Sequence, residues 1–228
     1  MAAIPLRRDE IHYPESDGKP MGETGIHVEE TIYLLEALKD RLRDVPDVYV
    51  GGDMFLYYVE GQPRYVVCPD VFVSFGVGSE QRRIYKLWEE GRPPALIVEV
   101  TSSETRNEDL NRKKDLYERL GVQEYLLYDP LGEYLKPPLR GFQRIAGRYE
   151  PLAPSSDGSI QSPLLGLTFQ MEDSRIRLVD TATGEPILRN DEVRELARQT
   201  QTAEERAAAA EEEAARLRAE LERLRRRG

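Results

Sequence analysis

The sequence predicts an α/β protein: a mixed sheet flanked by helices, with β-hairpin additions and a long C-terminal helix. Three stretches carry that expectation. Over residues 95–129, ALIVEVTS, a helix-patterned DLNRKKDLYERL and EYLLYD follow one another, which is the order of a β-α-β unit with buried strands. Beyond Pro130 come FQRIAGRYEPL, LTFQ and RIRLVD, short strands with turns at Gly147, Ser156-Asp157-Gly158 and Thr183-Gly184. From Asp191 onward there is no proline, and glycine appears only as the last residue.

Taken in order, residues 27–44 (HVEETIYLLEALKDRLRD) carry Ile32, Leu35, Leu38 and Leu42 at helical spacing, with Thr24 as cap and Pro46 just after. DVYVGGDMFLYYVEG then ends in a turn at Glu60-Gly61-Gln62-Pro63, RYVVCPDVFVSFG follows, and RIYKLWEEG is a short apolar segment. Thr105-Arg106-Asn107-Glu108 has capping-box spacing and opens the helix through Leu116 and Leu120, with Gly121 placed to end it. In the tail, Val193, Leu196, Thr200, Ala203, Ala207, Ala210, Ala214, Leu217, Leu221 and Leu224 form an a/d seam over about five heptads. Either a solvated, charge-laced lone helix or a dimerising coiled coil fits that pattern. The run RLRRR at 223–227 suits the negative end of the helix dipole, and a contact with nucleic acid is the second reading.

Composition narrows the function. The 228 residues hold one ordinary domain plus an appendage. No apolar run approaches the ~20 residues of a membrane span, and the N-terminus lacks a signal-type apolar region. With a single cysteine, Cys68, the expected setting is a reducing cytoplasm. Two histidines are too few for a zinc centre, so any metal must be held by oxygens. The net charge of −10 opposes nucleic-acid binding over the whole surface but leaves room for a local groove.

Against that background, ALIVEVTS poses a problem, because Glu99 sits in an otherwise apolar strand and a buried carboxylate costs several kcal/mol unless compensated. Asp70 is embedded in the same way in VVCPDVFVSF. Taken singly, Glu99 reads equally well as the partner of Arg112, Lys113 or Lys114, and Asp70 after Pro69 as a strand start. Together they read as two carboxylates whose repulsion a divalent cation relieves. Mg²⁺ suits such a pair, since it keeps several waters and takes few protein ligands.

The ordered set Pro69-Asp70, Glu99 with Thr101-Ser102, then Asp109, Lys113 and Tyr117, Gly121-Val122-Gln123-Glu124-Tyr125 and Asp129-Pro130 resembles the Uma-type restriction-endonuclease family of the PD-(D/E)XK nuclease superfamily. The resemblance covers roughly residues 10–185. It implies a restriction-endonuclease-like core over 1–189, with 190–228 a separate charged helix. It further implies Mg²⁺- or Mn²⁺-dependent hydrolysis of phosphodiester bonds, with DNA the expected substrate. Asp70, Glu99 and the Val100 carbonyl would hold the metal, and Lys113 would join Asp70 and Glu99 in catalysis. The superfamily's strand lysine is replaced here by Thr101, and Lys113 takes over its role, leaving Lys114 to solvent.

Five residues stand beside the metal and catalytic set. Glu23 and His27, four apart, either face the site or belong to an acidic first helical turn. Tyr117 is a core residue or a hydroxyl supporting the site. Tyr85 and Trp88 either stack on a base or pack in the interior. The alternative function is a weak or inactive nuclease fold that binds DNA or protein and forms homodimers through its tail. A cleft shared by Asp70, Glu99 and Lys113 favours cutting, and a Glu99 closed off by a salt bridge favours the binding module.

Overall fold

The computed structural model describes residues 11–16, 18, 24–103 and 105–226. The chain divides into two units, between Ile187 and Leu188. In the first unit the helix α1 (Gly25–Arg41) precedes the strands β1 (Val48–Gly51), β2 (Leu56–Tyr57), β3 (Val66–Val67), β4 (Val71–Phe75) and β5 (Tyr85–Lys86). A single-turn helix α2 (Leu87–Glu90) leads to β6 (Leu96–Val100). A helix follows whose first stretch, Glu108–Lys113, is π-wound and whose continuation is α3 (Lys114–Leu120). The remaining strands are β7 (Glu124–Tyr128), β8 (Leu139–Ile145), β9 (Arg148–Pro151), β10 (Ile160–Ser162), β11 (Leu167–Glu172) and β12 (Arg175–Asp180). The second unit carries the helix α4 (Asn190–Arg225).

The main sheet has the order β1-β4-β6-β7-β8-β9. Its central pair β6–β7 is parallel, joined by the π segment and α3, and the flanking pairs are antiparallel. This is the mixed α/β sheet expected from 95–129, and β6 is buried at all five positions, as a strand covered on both faces must be. Val71, Val73, Leu96, Val98 and Val100 point to the side packed by Leu34 and Leu38 of α1. Phe72, Ile97, Tyr125 and Leu127 point to the side packed by Leu116 and Tyr117. Two small sheets, β10-β11-β12 and β3-β2-β5, extend the first unit.

Local chemistry explains where the elements start and stop. Thr24 caps α1 by accepting from the His27 N–H at 3.4 Å. Gly121, at φ +94°, ends α3 in the left-handed conformation, its N–H reaching the Tyr117 carbonyl. Two expectations fail here. The buried face of α1 runs through Glu30, Tyr33, Leu34, Ala37 and Leu38, while Ile32 is 48% exposed, because the adjoining surface opens into a cavity rather than core. The capping box at 105–108 does not form either: Thr105 and Ser102 bond each other's backbone N–H, and Glu108 pairs with Arg112 instead.

Gly51-Gly52-Asp53 follows β1 and makes the closest approach of backbone to the start of β4. The Asp53 N–H donates to the carbonyls of Pro69 and Asp70 at 3.0 and 3.2 Å, and Asp53 sits at φ +48°. A Cβ on Gly52 would lie 2.2 Å from the Asp70 carbonyl oxygen, so no side chain fits without moving that backbone. Gly52→Ala is expected to lower stability by about 1–3 kcal/mol in urea unfolding. Gly25→Ala, whose Cβ meets nothing within 4 Å, serves as the control and is expected to match the wild type.

Candidate functional site

The site forms where β4 and β6 lie side by side, Val71 opposite Val98. Glu99 and Thr101 share the face of β6 that the π segment and α3 cover. Glu99 is fully buried, and both its oxygens are engaged: Tyr117 Oη donates to Oε1 at 2.7 Å and Lys113 Nζ to Oε2 at 2.9 Å. The Asp70 N–H also points to Oε2, at 3.4 Å. Asp70 Oδ2 accepts the Val100 N–H at 2.7 Å, so each acid is tied to the backbone beside the other. Unlike Glu99, the Asp70 side chain keeps 20% exposure.

Lys113 also meets Asp109 Oδ1 at 3.0 Å, four residues back along the helix. The π winding brings residues four apart nearly into line, and both side chains are buried. Such local widening is frequent at functional positions. The Tyr125 hydroxyl donates to the Asp109 carbonyl at 3.0 Å and braces this turn against β7. Lys114 faces away; its ammonium lies 4.9 Å over the Phe142 ring, half-buried rather than fully in solvent.

On the α1 side, His27 Nε2 lies 3.4 Å from Asp70 Oδ2. His27, Val28, Thr31, Ile32, Leu35, Asp53 and Asp70 line an open cavity of about 340 Å³. Asp70 therefore joins two halves of the site, a mouth on the α1 side and a buried Glu99-Lys113-Asp109 cluster on the α3 side. Asp53 Oδ1 accepts a weak hydrogen bond from Cys68 Sγ at 3.6 Å. Burial, then the charges of Asp53, Glu99 and Asp70, push the Cys68 thiol up, so it stays protonated and unreactive.

Of the residues singled out in the sequence, Asp70, Glu99, Lys113, Tyr117 and His27 come together here. Val100 meets Asp70 through its N–H. Thr101 is buried beside Glu99, its hydroxyl without a hydrogen-bond partner among the described residues, while its N–H bonds the Tyr128 carbonyl at 2.7 Å. Glu23 lies outside the described residues. Tyr85 is wholly buried with its hydroxyl on the Arg92 carbonyl and so serves the interior, while Trp88 is half-buried and packs on Tyr13. Two acids were missed as site residues. In the sequence Asp109 figures only in the Asp109-Lys113-Tyr117 helix spacing, and Asp53 only within the run DVYVGGDMFLYYVEG. The signal for Asp109 was its four-residue spacing from Lys113. For Asp53 it was the pair of glycines before it.

The electrostatics are those of an acidic cluster short of positive charge. Burial, then the neighbouring Asp70 and Asp109 charges, hold the Glu99 carboxyl well above its ordinary value of 4.5, against the pull of Lys113. Asp109 is raised chiefly by burial. Burial acts to lower Lys113, but Glu99, Asp109 and Asp70 overcome it and keep the ammonium charged. Asp70, Glu99 and Asp109 thus place three carboxyl groups around the single Lys113 ammonium.

A divalent cation fits that cluster, and the donors, carboxylate and carbonyl oxygens, are the hard ligands Mg²⁺ and Mn²⁺ prefer. Among the described residues, no three His, Cys, Asp or Glu side chains already converge as a cage. Mg²⁺ does not require one, since it is commonly held by one or two carboxylates and water.

An α/β core with an acid on each of two adjacent strands and a lysine from the next helix defines a class in which chemistry is concentrated at the sheet. The family model described as Uma2, putative restriction endonuclease, matches residues 2–175, and the chain belongs to that family. A putative nuclease belonging to DUF820 from Anabaena variabilis ATCC 29413 is similar in structure, with a TM-score of 0.47 and 15% identity over 64% of this chain and 76% of that one. No curated protein matches. No helix among the described residues is long and apolar enough to cross a membrane.

The raised Glu99 pKa carries a sign. Its native value lies above the unfolded value of 4.5, so the folded chain binds that proton more tightly. The Glu99 contribution to stability therefore falls as pH climbs from about 4.5 upward. In EDTA, wild-type stability minus that of Glu99→Gln is expected to be flat below about pH 4.5 and to decline as pH rises above it. Urea unfolding of both proteins across that range measures it, and a difference that rises with pH would sink the charge assignment.

Proposed function

We propose that the protein is a divalent-cation-dependent endonuclease that hydrolyses phosphodiester bonds of nucleic acid, with DNA as substrate and Mg²⁺ or Mn²⁺ as cofactor. The observation that carries the reading is the juxtaposition of two acids across adjacent strands, Asp70 open to the cavity and Glu99 buried behind it, each tied to the backbone beside the other. Family membership points the same way. Asp70, Glu99 and the Val100 carbonyl would hold the cation, which when bound would supply Lewis-acid stabilisation of charge on a phosphoryl oxygen. Lys113 fixes Glu99 Oε2 and adds positive charge where the phosphoryl group reacts. Tyr117 holds Oε1 and so sets the plane of the carboxylate. His27 and Asp53 flank Asp70 at the mouth, where Asp53 orders the site's outer edge. A single cysteine held protonated suits a cytoplasmic setting, and the tail joins two chains into a homodimer.

One observation favours a second reading, a nuclease fold that binds without cutting. Glu99 has no exposure, and its two oxygens are already taken by Lys113 and Tyr117. Plasmid and single-stranded DNA incubated with Mg²⁺ or Mn²⁺ separate the two. Cleavage by the wild type is expected, with Asp70→Asn, Glu99→Ala and Lys113→Met each slower by about 10²-fold or more. Calorimetric titration with Mn²⁺ alone is expected to show binding that Asp70→Asn weakens. Cleavage retained by Glu99→Ala would overturn the assignment, and Mn²⁺ binding without cleavage of either DNA would favour the binding module.

A further inference from the structure

The helix α4 runs for 36 residues and leaves its large apolar side chains in solvent: Val193, Leu196, Leu217, Leu221 and Leu224 are 48–61% exposed. A helix of this length and composition is stable in water without a partner, so its existence calls for none. The stripe does. The large apolar residues of α4, Val193, Leu196, Leu217, Leu221 and Leu224, fall only on a and d positions, a seam narrower than the face a helix presents to a globular core and of the width a second helix covers.

The flanking charges select both the partner and its direction. In a parallel pair each g position faces the e position five residues on in the other helix. Placing the same helix opposite itself then sets Arg206 against Glu211 of the second copy and Glu213 against Arg218, and symmetry makes each pair twice. The earlier g positions, Glu192 and Gln199, meet Ala197 and Glu204, so no like charges oppose each other over this stretch. An antiparallel overlap of the whole seam faces g with g and e with e. It gains Arg206 beside Glu213 but sets Glu204 beside Glu211, and these offset each other.

We propose that Asn190–Arg225 pairs with the same helix of a second copy as a parallel, in-register coiled coil. Leu217, Leu221 and Leu224 then pack against their own counterparts, while the alanine and threonine layers contribute little. Both N-terminal units enter the coil from the same end, which raises the effective concentration of one site near the other. The inference rests on the chains pairing through the tail, and it stands whether or not the protein cuts nucleic acid.

The test uses the full chain carrying Cys68→Ser, which removes its one native thiol. In the parallel register Ala214 faces Ala214, so Ala214→Cys is expected to form a disulfide dimer under mild oxidation. In the antiparallel overlap Ala214 faces Ala203, and only a mixture of Ala214→Cys and Ala203→Cys chains would cross-link between unlike partners. Sedimentation of Arg206→Glu is expected to show a dimer dissociation constant raised roughly tenfold, and Arg206→Glu with Glu211→Arg to restore it. A chain that sediments as a monomer, an Ala214→Cys protein that does not cross-link with itself, or a double variant without recovery would each overturn the proposal. None of these readouts depends on DNA cleavage, so a failure here is distinct from a failure of the nuclease reading.

Discussion

Glu99 is a carboxylate in the middle of β6, a strand buried at every position, with its exposure at zero. Left unpaired, such a group would cost several kcal/mol, and the fold around it is arranged to prevent that. The parallel partner β7 requires a crossover, and the crossover is the helix that delivers Lys113 and Tyr117 onto the two Glu99 oxygens. On the other flank β4 runs antiparallel and sets the Asp70 N–H toward the same carboxylate. The topology of the three central strands is thus also the coordination of one acid. Removing the helix would leave the charge without its partner.

The two faces of the sheet contribute differently. The α3 side is dry and holds Glu99, Asp109 and Lys113, where low polarizability strengthens every charge interaction. The α1 side is open and presents Asp70 and Asp53 to a cavity whose other walls are His27, Val28, Thr31, Ile32 and Leu35 of α1. Gly52 links the two, since its missing side chain lets the Asp53 backbone settle on the carbonyls of Pro69 and Asp70. The outer acids are therefore fixed by main-chain contacts and the inner ones by side-chain contacts. That difference suits an exposed group that must accept a ligand and a buried group that must not move.

What was legible in the sequence follows from the same physics. An acid inside an apolar strand is an anomaly at the level of single letters, so Glu99 and Asp70 stood out, and the strand-helix-strand order around them gave the mixed sheet. Asp109 did not stand out, because an acid in the first turn of a helix is ordinary and only π winding turns it inward beside Lys113. Asp53 did not stand out either, because an acid after two glycines is ordinary in a connection between strands, and only the fold presses that connection against the start of β4. Ile32 misled for the opposite reason, since helical periodicity marks an apolar face without revealing whether core or cavity lies against it. Thr105 and Glu108 had the spacing of a capping box, yet Ser102 lay within reach of Thr105 and the local pair won.

Thr101 bears on how the lysine's relocation affects the charge of the site. A lysine at 101 would share the face of β6 with Glu99 and bring a positive charge with no acid of its own. Lys113 arrives on a helix that also carries Asp109 four residues earlier, and the two meet at 3.0 Å. Their charges cancel, so moving the ammonium from strand to helix adds nothing to the net charge of the centre. Beside that pair stand Asp70 and Glu99, held also by backbone N–H groups and a hydroxyl, which carry no charge to offset theirs. The cluster keeps the full electrostatic demand of a two-carboxylate site while its ammonium stays protonated and bound to Glu99. That demand, rather than any preformed cage of ligands, is what a divalent cation would answer.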